Sequence, residues 1–150
     1  MENLQINFDI PKQFEIANIK PLNGIVGLYF IFTDNLYIQY PFQKSRLLYI
    51  GMSEKRTNSI GSRLIGHFEG KSRNLGLVNY RKVGQLHFTF INFEMIRKFW
   101  EHRVEDLESY FINDFVEKYG VYPICNNKTG FEILEKKVVD DFIIDWKYFE

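Results

Sequence analysis

The chain has 150 residues, of which 45% are apolar and 17% aromatic, and its basic and acidic side chains are equal in number. This length and composition predict one globular domain over residues 1–150, with a core that needs no disulfide or metal support. The single cysteine excludes an intramolecular disulfide, and no apolar run approaches the roughly 20 residues of a membrane-spanning helix. Because the first residues also lack the features of a secretion signal, we expect a cytoplasmic protein with no membrane partner.

The first predicted elements are two strands. Residues 24–33 and 46–51 are rich in apolar, aromatic and β-branched side chains, and we expect them to pair as an antiparallel hairpin. The segment between Tyr29 and Tyr49, residues 30–48, extends the hairpin and mixes aromatic rings with cations, as a nucleic-acid-binding surface often does. The alternative is that these rings pack on the sheet or against a second subunit.

A short helix is predicted next. Thr57 or Ser59 can cap a helix whose apolar face carries residues at spacings of four, and Arg63 and His67 share a neighbouring face of it. The apolar face consists of Ile60, Leu64 and Phe68.

The second half of the chain predicts one more strand and two helices. Residues 84–93 alternate polar and apolar side chains as a strand does, and the polar residues 70–84 are expected to connect this strand to the preceding helix. A long helix is predicted over residues 94–119, and a C-terminal helical extension over residues 131–150. Together these elements predict an α/β (α+β) fold, in which helices flank a small, mainly antiparallel three-stranded sheet.

Glu108 is an anomaly within the long helix. At helical spacing it falls inside an apolar stripe, one turn after Val104 and one turn before Ile112. A carboxylate in apolar surroundings is protonated or needs a cation, which Arg63 or a metal ion could supply. The alternative is a buried ion pair that takes no part in chemistry.

Charge is unevenly distributed along the chain. Residues 44–82 contain nine basic and two acidic side chains, and the rest of the chain carries the opposite excess. Such a segment can form a positive surface for nucleic acid even in a neutral protein, although a merely solvated face is the alternative. The candidate nucleic-acid-binding residues are Lys44, Arg46, Lys55, Arg56, Lys71 and Arg73.

Several short motifs occur in a characteristic order between residues 24 and 130. The strings Gly27-Leu28-Tyr29 and Tyr49-Ile50-Gly51 are followed by Arg63 and His67, by Glu108, and by Asn126 three residues after a proline. In this order and in these residue types the chain resembles the GIY-YIG nuclease family. It departs from the family pattern in Leu28, which replaces the usual isoleucine, and in a longer segment between the two tyrosines.

The resemblance implies how water and the scissile phosphate would be handled. Tyr29 would orient or deprotonate the attacking water, and His67 would be the second candidate for the base, since it titrates nearer neutral pH. Tyr49 would bind a phosphate oxygen or support Tyr29. The guanidinium of Arg63 would stabilise the charge of the transition state.

The resemblance also implies a cofactor. Glu108 would hold one Mg²⁺ or Mn²⁺ ion, whose remaining ligands would be waters and substrate phosphate oxygens. Asn126 would fix the elements of the site through side-chain hydrogen bonds.

The sequence therefore leads to the hypothesis of a metal-dependent endonuclease that hydrolyses phosphodiester bonds in DNA, of a restriction-type or phage or mobile-element kind. A homodimer would supply a second active site for cutting both strands. Two alternatives remain open: a nucleic-acid-binding module that keeps the scaffold without cutting, and a protein-interaction domain that uses the acidic C-terminal tail.

Overall fold

The computed structural model describes residues 4–126 and 142–150. Helices and strands alternate irregularly along these residues, and no described helix is long and apolar enough to cross a membrane. In chain order the elements are β1 (Leu4–Ile6), β2 (Lys12–Gln13), α1 (Ile16–Ile19), β3 (Gly27–Thr33), β4 (Ile38–Gln39), β5 (Lys44–Ser45), β6 (Leu47–Ser53), α2 (Ile60–Phe68), α3 (Leu75–Val83), β7 (Leu86–Asn92), α4 (Val104–Tyr119) and β8 (Phe142–Ile144).

The main sheet has four strands in the order β2-β7-β3-β6, and every neighbouring pair is antiparallel. Strand β3 lies at the centre and β6 at one edge. The register places Tyr29 opposite Gly51 and Ile31 opposite Tyr49. The two tyrosines are therefore diagonal neighbours on the same face of the sheet.

The two faces of the sheet carry separate hydrophobic clusters, because successive side chains of a strand point to opposite sides. Leu28, Phe30 and Phe32 of β3 pack in the cluster that contains α4, whereas Tyr29 and Ile31 pack in the cluster that contains α2 and α3. The edge strand β6 therefore runs between a helix layer on each side. The candidate site lies at this edge.

The mixed α+β class and the three longest strands agree with the sequence-based prediction, and so does the helix capped by Ser59, whose side chain accepts a hydrogen bond from Ser62 N at 3.3 Å. The strand count is a correction, because the sheet has four strands rather than three. The added strand, Lys12–Gln13, is two exposed polar residues long and has no hydrophobic periodicity. Its pairing with β7 is set by tertiary contact alone.

The prediction of one helix from residue 94 to residue 119 is wrong at its start. Two 3-10 turns, Phe93–Met95 and Arg97–Phe99, come first, and α4 begins only at Val104. The indole of Trp100 donates to the carbonyl of Arg103 at 2.9 Å, and Asp106 accepts from the Arg103 backbone N–H at 3.2 Å. These contacts hold the preceding chain out of the helix and cap its first turn.

The connection predicted over residues 70–84 contains a helix, α3, which the sequence analysis missed. Asn74 caps it by accepting from Leu77 N at 3.1 Å. Its apolar face is weak, since Leu77 is buried while Leu75 and Val83 are exposed. Without a clear apolar stripe, the 3.6-residue period is hard to recognise in nine residues.

The predicted C-terminal helix over residues 131–150 is also corrected, for the part that lies within the described residues. Residues 142–144 form strand β8, parallel to β1, and Trp146–Phe149 form a 3-10 turn. Its partner strand, β1, lies at the other end of the chain, so no local sequence pattern predicts the pairing. Residues 131–141 lie outside the described part.

The extended first hairpin packs on the body of the protein. Strands β4 and β5 pair with each other near its tip, and the Tyr40 hydroxyl donates to the Leu47 carbonyl at 2.6 Å. The backbone N–H of Phe42 donates to the carbonyl of Tyr119 at 3.1 Å, at the end of α4. Tyr40 is buried, whereas Phe42 is 71% exposed.

Candidate active site

Three aromatic side chains meet beside the edge strand. The hydroxyl of Tyr29 lies 3.0 Å from Nε2 of His67, within a hydrogen bond. The ring centroids of Tyr29 and Tyr49 are 6.0 Å apart, and those of Tyr49 and His67 are 5.0 Å apart. Strands β3 and β6 and helix α2 thus bring together the two tyrosines and the histidine that the sequence singled out.

His67 is held at both ring nitrogens. Its Nδ1 lies 2.7 Å from the hydroxyl of Ser72, and its Nε2 faces Tyr29. Burial, with a smaller contribution from the charge of Arg63, lowers the pKa of His67 from 6.5 to about 4. The imidazole is therefore neutral near pH 7, with one nitrogen protonated and the other free to accept a proton.

Both tyrosines keep their protons at neutral pH. Burial raises the pKa of Tyr29 well above its usual value, the nearby Tyr49 and Glu108 add to the effect, and Arg63 opposes it. The pKa of Tyr49 is raised by burial and then by the charge of Glu108, while its interaction with the Tyr29 hydroxyl and the charge of Arg63 lower it. Tyr29 is thus a hydrogen-bond donor that needs a neighbouring acceptor before it can take a proton from water.

Gly51 makes room for this arrangement. A Cβ built on Gly51 would collide with the ring and hydroxyl of Tyr29, which lies directly across the β3–β6 ladder. A side chain at this position would displace the Tyr29 ring from His67. The glycine of the second motif is therefore required by a close approach of another side chain.

Arg63 and Glu108 act on the same two phenols from different helices. The charge of each shifts the pKa of Tyr29 and of Tyr49, in opposite directions. Both side chains are half-buried, and the Nε of Arg63 is buried with no hydrogen-bond partner among residues 4–126 and 142–150. A guanidinium with a buried donor to spare can bind an anion such as phosphate.

The site has few ligands for a metal. Within the described ranges, no group of three or more His, Cys, Asp or Glu side chains could hold an ion by itself. Mg²⁺ nevertheless often takes only one or two protein carboxylates and completes its shell with water and substrate phosphate. Glu108 fits that kind of site, in which the ion binds together with the substrate.

Asn126 closes the outer edge of β6. Its Oδ1 accepts from the backbone N–H of Ile50 at 3.0 Å, and its Nδ2 donates to the carbonyl of the same residue at 2.9 Å. The preceding residue, Cys125, donates its N–H to the Leu48 carbonyl at 2.8 Å. Asn126 thus behaves like one residue of an additional strand, next to Tyr49 and Gly51, whereas a catalytic part for it stays a prediction.

The predicted nucleic-acid-binding residues fall into two groups. Lys55, Arg56, Lys71 and Arg73 are exposed in the loops that follow β6 and α2, the elements that carry Tyr49 and His67. The remaining two, Lys44 and Arg46, lie at the opposite end of β6. At a rise of about 3.3 Å per residue, that end is more than ~15 Å from Gly51.

Arg46 has a structural role at the start of β6. Its guanidinium donates to the carbonyls of Thr33 and Asp34, each at 3.1 Å, and to that of Tyr148 at 3.0 Å. Lys44 stands 5.1 Å from the ring centroid of Tyr37. Backbone carbonyls already accept hydrogen bonds from the guanidinium of Arg46. We therefore do not expect Arg46 to bind nucleic acid.

Ser72 is not among the site residues that the sequence predicts. The residue lies in the turn between α2 and α3, where the sequence predicts only a connection, and serine is common in turns. Its position five residues after His67 is the sole local hint, and the chain must fold back before the two side chains can meet.

Comparison of the chain with protein-family models, with curated proteins and with solved structures found no match. A function for this protein must therefore be argued from the chemistry of the site.

Proposed function

We propose that this protein is a divalent-metal-dependent endonuclease that hydrolyses phosphodiester bonds in DNA, with a site of the GIY-YIG kind. One observation carries the proposal. Tyr29, Tyr49 and His67 are in contact at the edge of the sheet, and the charges of Arg63 and Glu108 act on both phenols. Phosphodiester hydrolysis requires a proton acceptor, a cation to bind the phosphate and a carboxylate to hold a metal ion, all close together. His67, Arg63 and Glu108 are side chains of these three types.

Arg63 and a metal ion held by Glu108 would both bind the scissile phosphate. Arg63 would bind its nonbridging oxygens and stabilise the negative charge that grows on them in the transition state. Glu108 would hold Mg²⁺ or Mn²⁺, and the bound ion would help to neutralise the phosphate and the leaving oxygen. Tyr49 would donate a hydrogen bond to a phosphate oxygen, because its hydroxyl keeps its proton at neutral pH.

Proton transfer runs through Tyr29. As a water oxygen bonds to phosphorus, a proton of that water passes to the Tyr29 oxygen, and the Tyr29 proton passes to Nε2 of His67. The bond to the leaving 3′ oxygen breaks with its electron pair, and this oxygen takes a proton from solvent. His67 afterwards returns its proton to solvent through Tyr29, which restores the neutral pair.

Substrate binding would strengthen this base. The charge of Arg63 is one cause of the low pKa of His67. When a phosphate pairs with Arg63, that charge is neutralised and its contribution to the low pKa of His67 is removed, while the larger contribution of burial remains. The imidazole is then a better acceptor at the time when the water is in place.

The experiment is the nicking of supercoiled plasmid DNA in Mg²⁺, in Mn²⁺ and in EDTA. We expect nicking in either metal and none in EDTA, and we expect Glu108→Gln to lower the rate about a hundredfold or more, because it removes the carboxylate without changing its shape. Glu117→Gln is the matched control. It removes an exposed carboxylate from the same helix, about 180° around the axis from Glu108.

Two results would count against the proposal. Equal nicking by wild type and Glu108→Gln would remove the role of the carboxylate. Salt-dependent binding of DNA without nicking in any metal would favour a non-cleaving nucleic-acid-binding module on the same scaffold.

Cleavage of both strands would require a second site, and we extend the proposal to a homodimer on DNA. A restriction-type or mobile-element role is the corresponding biological context. Closely spaced double-strand breaks would support the dimer, and single nicks alone would oppose it.

A further inference from the structure

The hydrogen bond between His67 and Ser72 takes no part in the proton transfer proposed above. At 2.7 Å it is shorter than the Tyr29 contact on the other side of the imidazole. Ser72 belongs to none of the GIY-YIG-like motifs, and its hydroxyl contacts the ring nitrogen that faces away from Tyr29. Its place behind the histidine suggests a function in orienting the ring.

The position of Ser72 is determined by its backbone and its neighbours. Its N–H donates to the Gly66 carbonyl at 3.2 Å, which folds the turn back onto α2. The turn contains two residues with positive φ, Gly70 at 77° and Arg73 at 61°. The Ser72 hydroxyl also accepts a weak hydrogen bond from the backbone N–H of Asn74 at 3.4 Å. These contacts therefore position the Ser72 hydroxyl oxygen beside Nδ1 of His67.

Asn74 connects this turn to the rest of the site. Besides capping α3, its Nδ2 donates to the carbonyl of Cys125 at 2.9 Å. The next residue, Asn126, holds the edge of β6 through Ile50. The turn that carries Ser72 and the strand that carries Tyr49 are thereby connected through buried hydrogen bonds.

A neutral imidazole has two tautomers, and only one of them suits the proposed proton path. If Nδ1 carries the proton, it donates to Ser72, and Nε2 is bare and can accept from Tyr29. If Nε2 carries the proton, it cannot take another one from Tyr29. A hydrogen-bond acceptor at Nδ1 favours the first tautomer.

We infer that Ser72 is a positioning residue whose hydroxyl holds the proton of His67 on Nδ1 and so leaves Nε2 bare to accept the proton of Tyr29. The catalytic consequence rests on the proposed nuclease function. The tautomer itself is a property of the protein alone, and it can be measured without any substrate.

The first measurement is nuclear magnetic resonance of the ¹⁵N-labelled full chain near pH 7, using long-range proton–nitrogen correlations of the His67 ring. We expect the wild type to show one tautomer, with Nδ1 protonated. In Ser72→Ala the loss of the acceptor should allow both tautomers to be populated, with a change of about fivefold in their ratio, the size of one ordinary hydrogen bond. Ser72→Thr retains the hydroxyl and should resemble the wild type.

The second measurement is plasmid nicking by the same variants. Ser72→Ala should lower kcat about fivefold and leave KM unchanged, because the side chain acts through His67 and not on substrate or metal. Ser72→Thr should restore the rate. Leu75→Ala is the control for the turn, since it alters an exposed residue just after it and leaves the hydroxyl in place.

The outcomes separate this inference from the proposed function. A wild-type spectrum that shows Nε2 protonated would overturn the role of Ser72, whether or not DNA is cut. A Ser72→Ala spectrum identical to that of the wild type would also overturn it. The expected spectra without any nicking would overturn the proton path and the nuclease, and would leave Ser72 as a residue that orients His67. Because Ser72 is exposed, both variants should fold.

Discussion

At the scale of single residues, burial controls the acid–base chemistry of the cluster. Tyr29 is 1% exposed and His67 is 8% exposed, and each avoids its charged form. Their hydrogen bond joins a neutral donor to a neutral acceptor. Such a pair is stable at rest and becomes charged only when a proton arrives from outside.

The low pKa of His67 predicts a pH dependence of stability. In the unfolded chain the imidazole titrates near 6.5, whereas in the folded protein it titrates at about 4. Between these values the unfolded state binds more protons, so the free energy of unfolding falls as the pH is lowered from about 6.5 to about 4. The loss through this residue is about 3 kcal/mol.

Urea unfolding near pH 7 and near pH 4 measures this effect. We expect His67→Gln to lose about 3 kcal/mol less than the wild type between the two values, because glutamine does not titrate. His102→Gln removes an exposed histidine and should follow the wild type. If His67→Gln had the same pH dependence as the wild type, His67 would not be the buried neutral group described here.

At the scale of elements, strand β6 depends on a side chain for part of its hydrogen bonding. The backbone groups of Ile50 on the outer side of β6 pair with the amide of Asn126. An edge strand otherwise exposes such groups to water or to another chain. The Asn126 amide therefore stabilises the strand that carries Tyr49 and Gly51.

Asn126→Ala removes both of these hydrogen bonds. We expect the free energy of unfolding to fall by about 1–3 kcal/mol, because Ile50 keeps buried polar groups without partners. Urea unfolding measures the loss, and the amide of Ile50 should exchange its hydrogen faster. Asn79→Ala, on the exposed side of α3, should change stability by less than about 0.5 kcal/mol. An unchanged exchange rate at Ile50 would show that Asn126 does not protect the edge.

Several elements were predictable because their patterns are local. The β-branched and aromatic runs of β3, β6 and β7 and the Ser59 cap of α2 appear directly in the sequence. The misses have non-local causes. Strand β8 exists because β1 lies beside it, and α4 starts late because Trp100 and Asp106 hold the chain at its first turn.

At the scale of the whole molecule, ion pairs modify the charge of the basic segment, residues 44–82. The two acidic residues of the basic segment are both neutralised: Glu69 pairs with Lys71 at 3.2 Å, and Glu54 pairs with Arg103, from outside the segment, at 2.9 Å. Lys55 and Arg56 are exposed in the same loop as Glu54. This loop connects β6 to α2, the helix that carries Arg63 and His67.

The position of this loop predicts how DNA binding depends on salt. In EDTA, where no cleavage is expected, the double variant Lys55→Ala with Arg56→Ala should reduce the slope of log affinity against log salt by about 2, one for each phosphate that is no longer neutralised. Lys44→Ala, at the far end of β6, should change the slope by less. Fluorescence anisotropy with a short labelled duplex measures both. Equal slopes for the wild type and the double variant would exclude this loop from the DNA-binding surface.

The sequence by itself determined the local part of this protein: the three long strands, helix α2, the uneven charge, and the residue types that suggest phosphodiester chemistry. Only the tertiary structure decided which of those residues meet. The Tyr29–His67 hydrogen bond, the Ser72 hydroxyl behind it and the closure of β6 by Asn126 each join residues from different elements. Such contacts depend on strand register and on how helices pack on the sheet, and these are set by the whole core rather than by neighbouring residues.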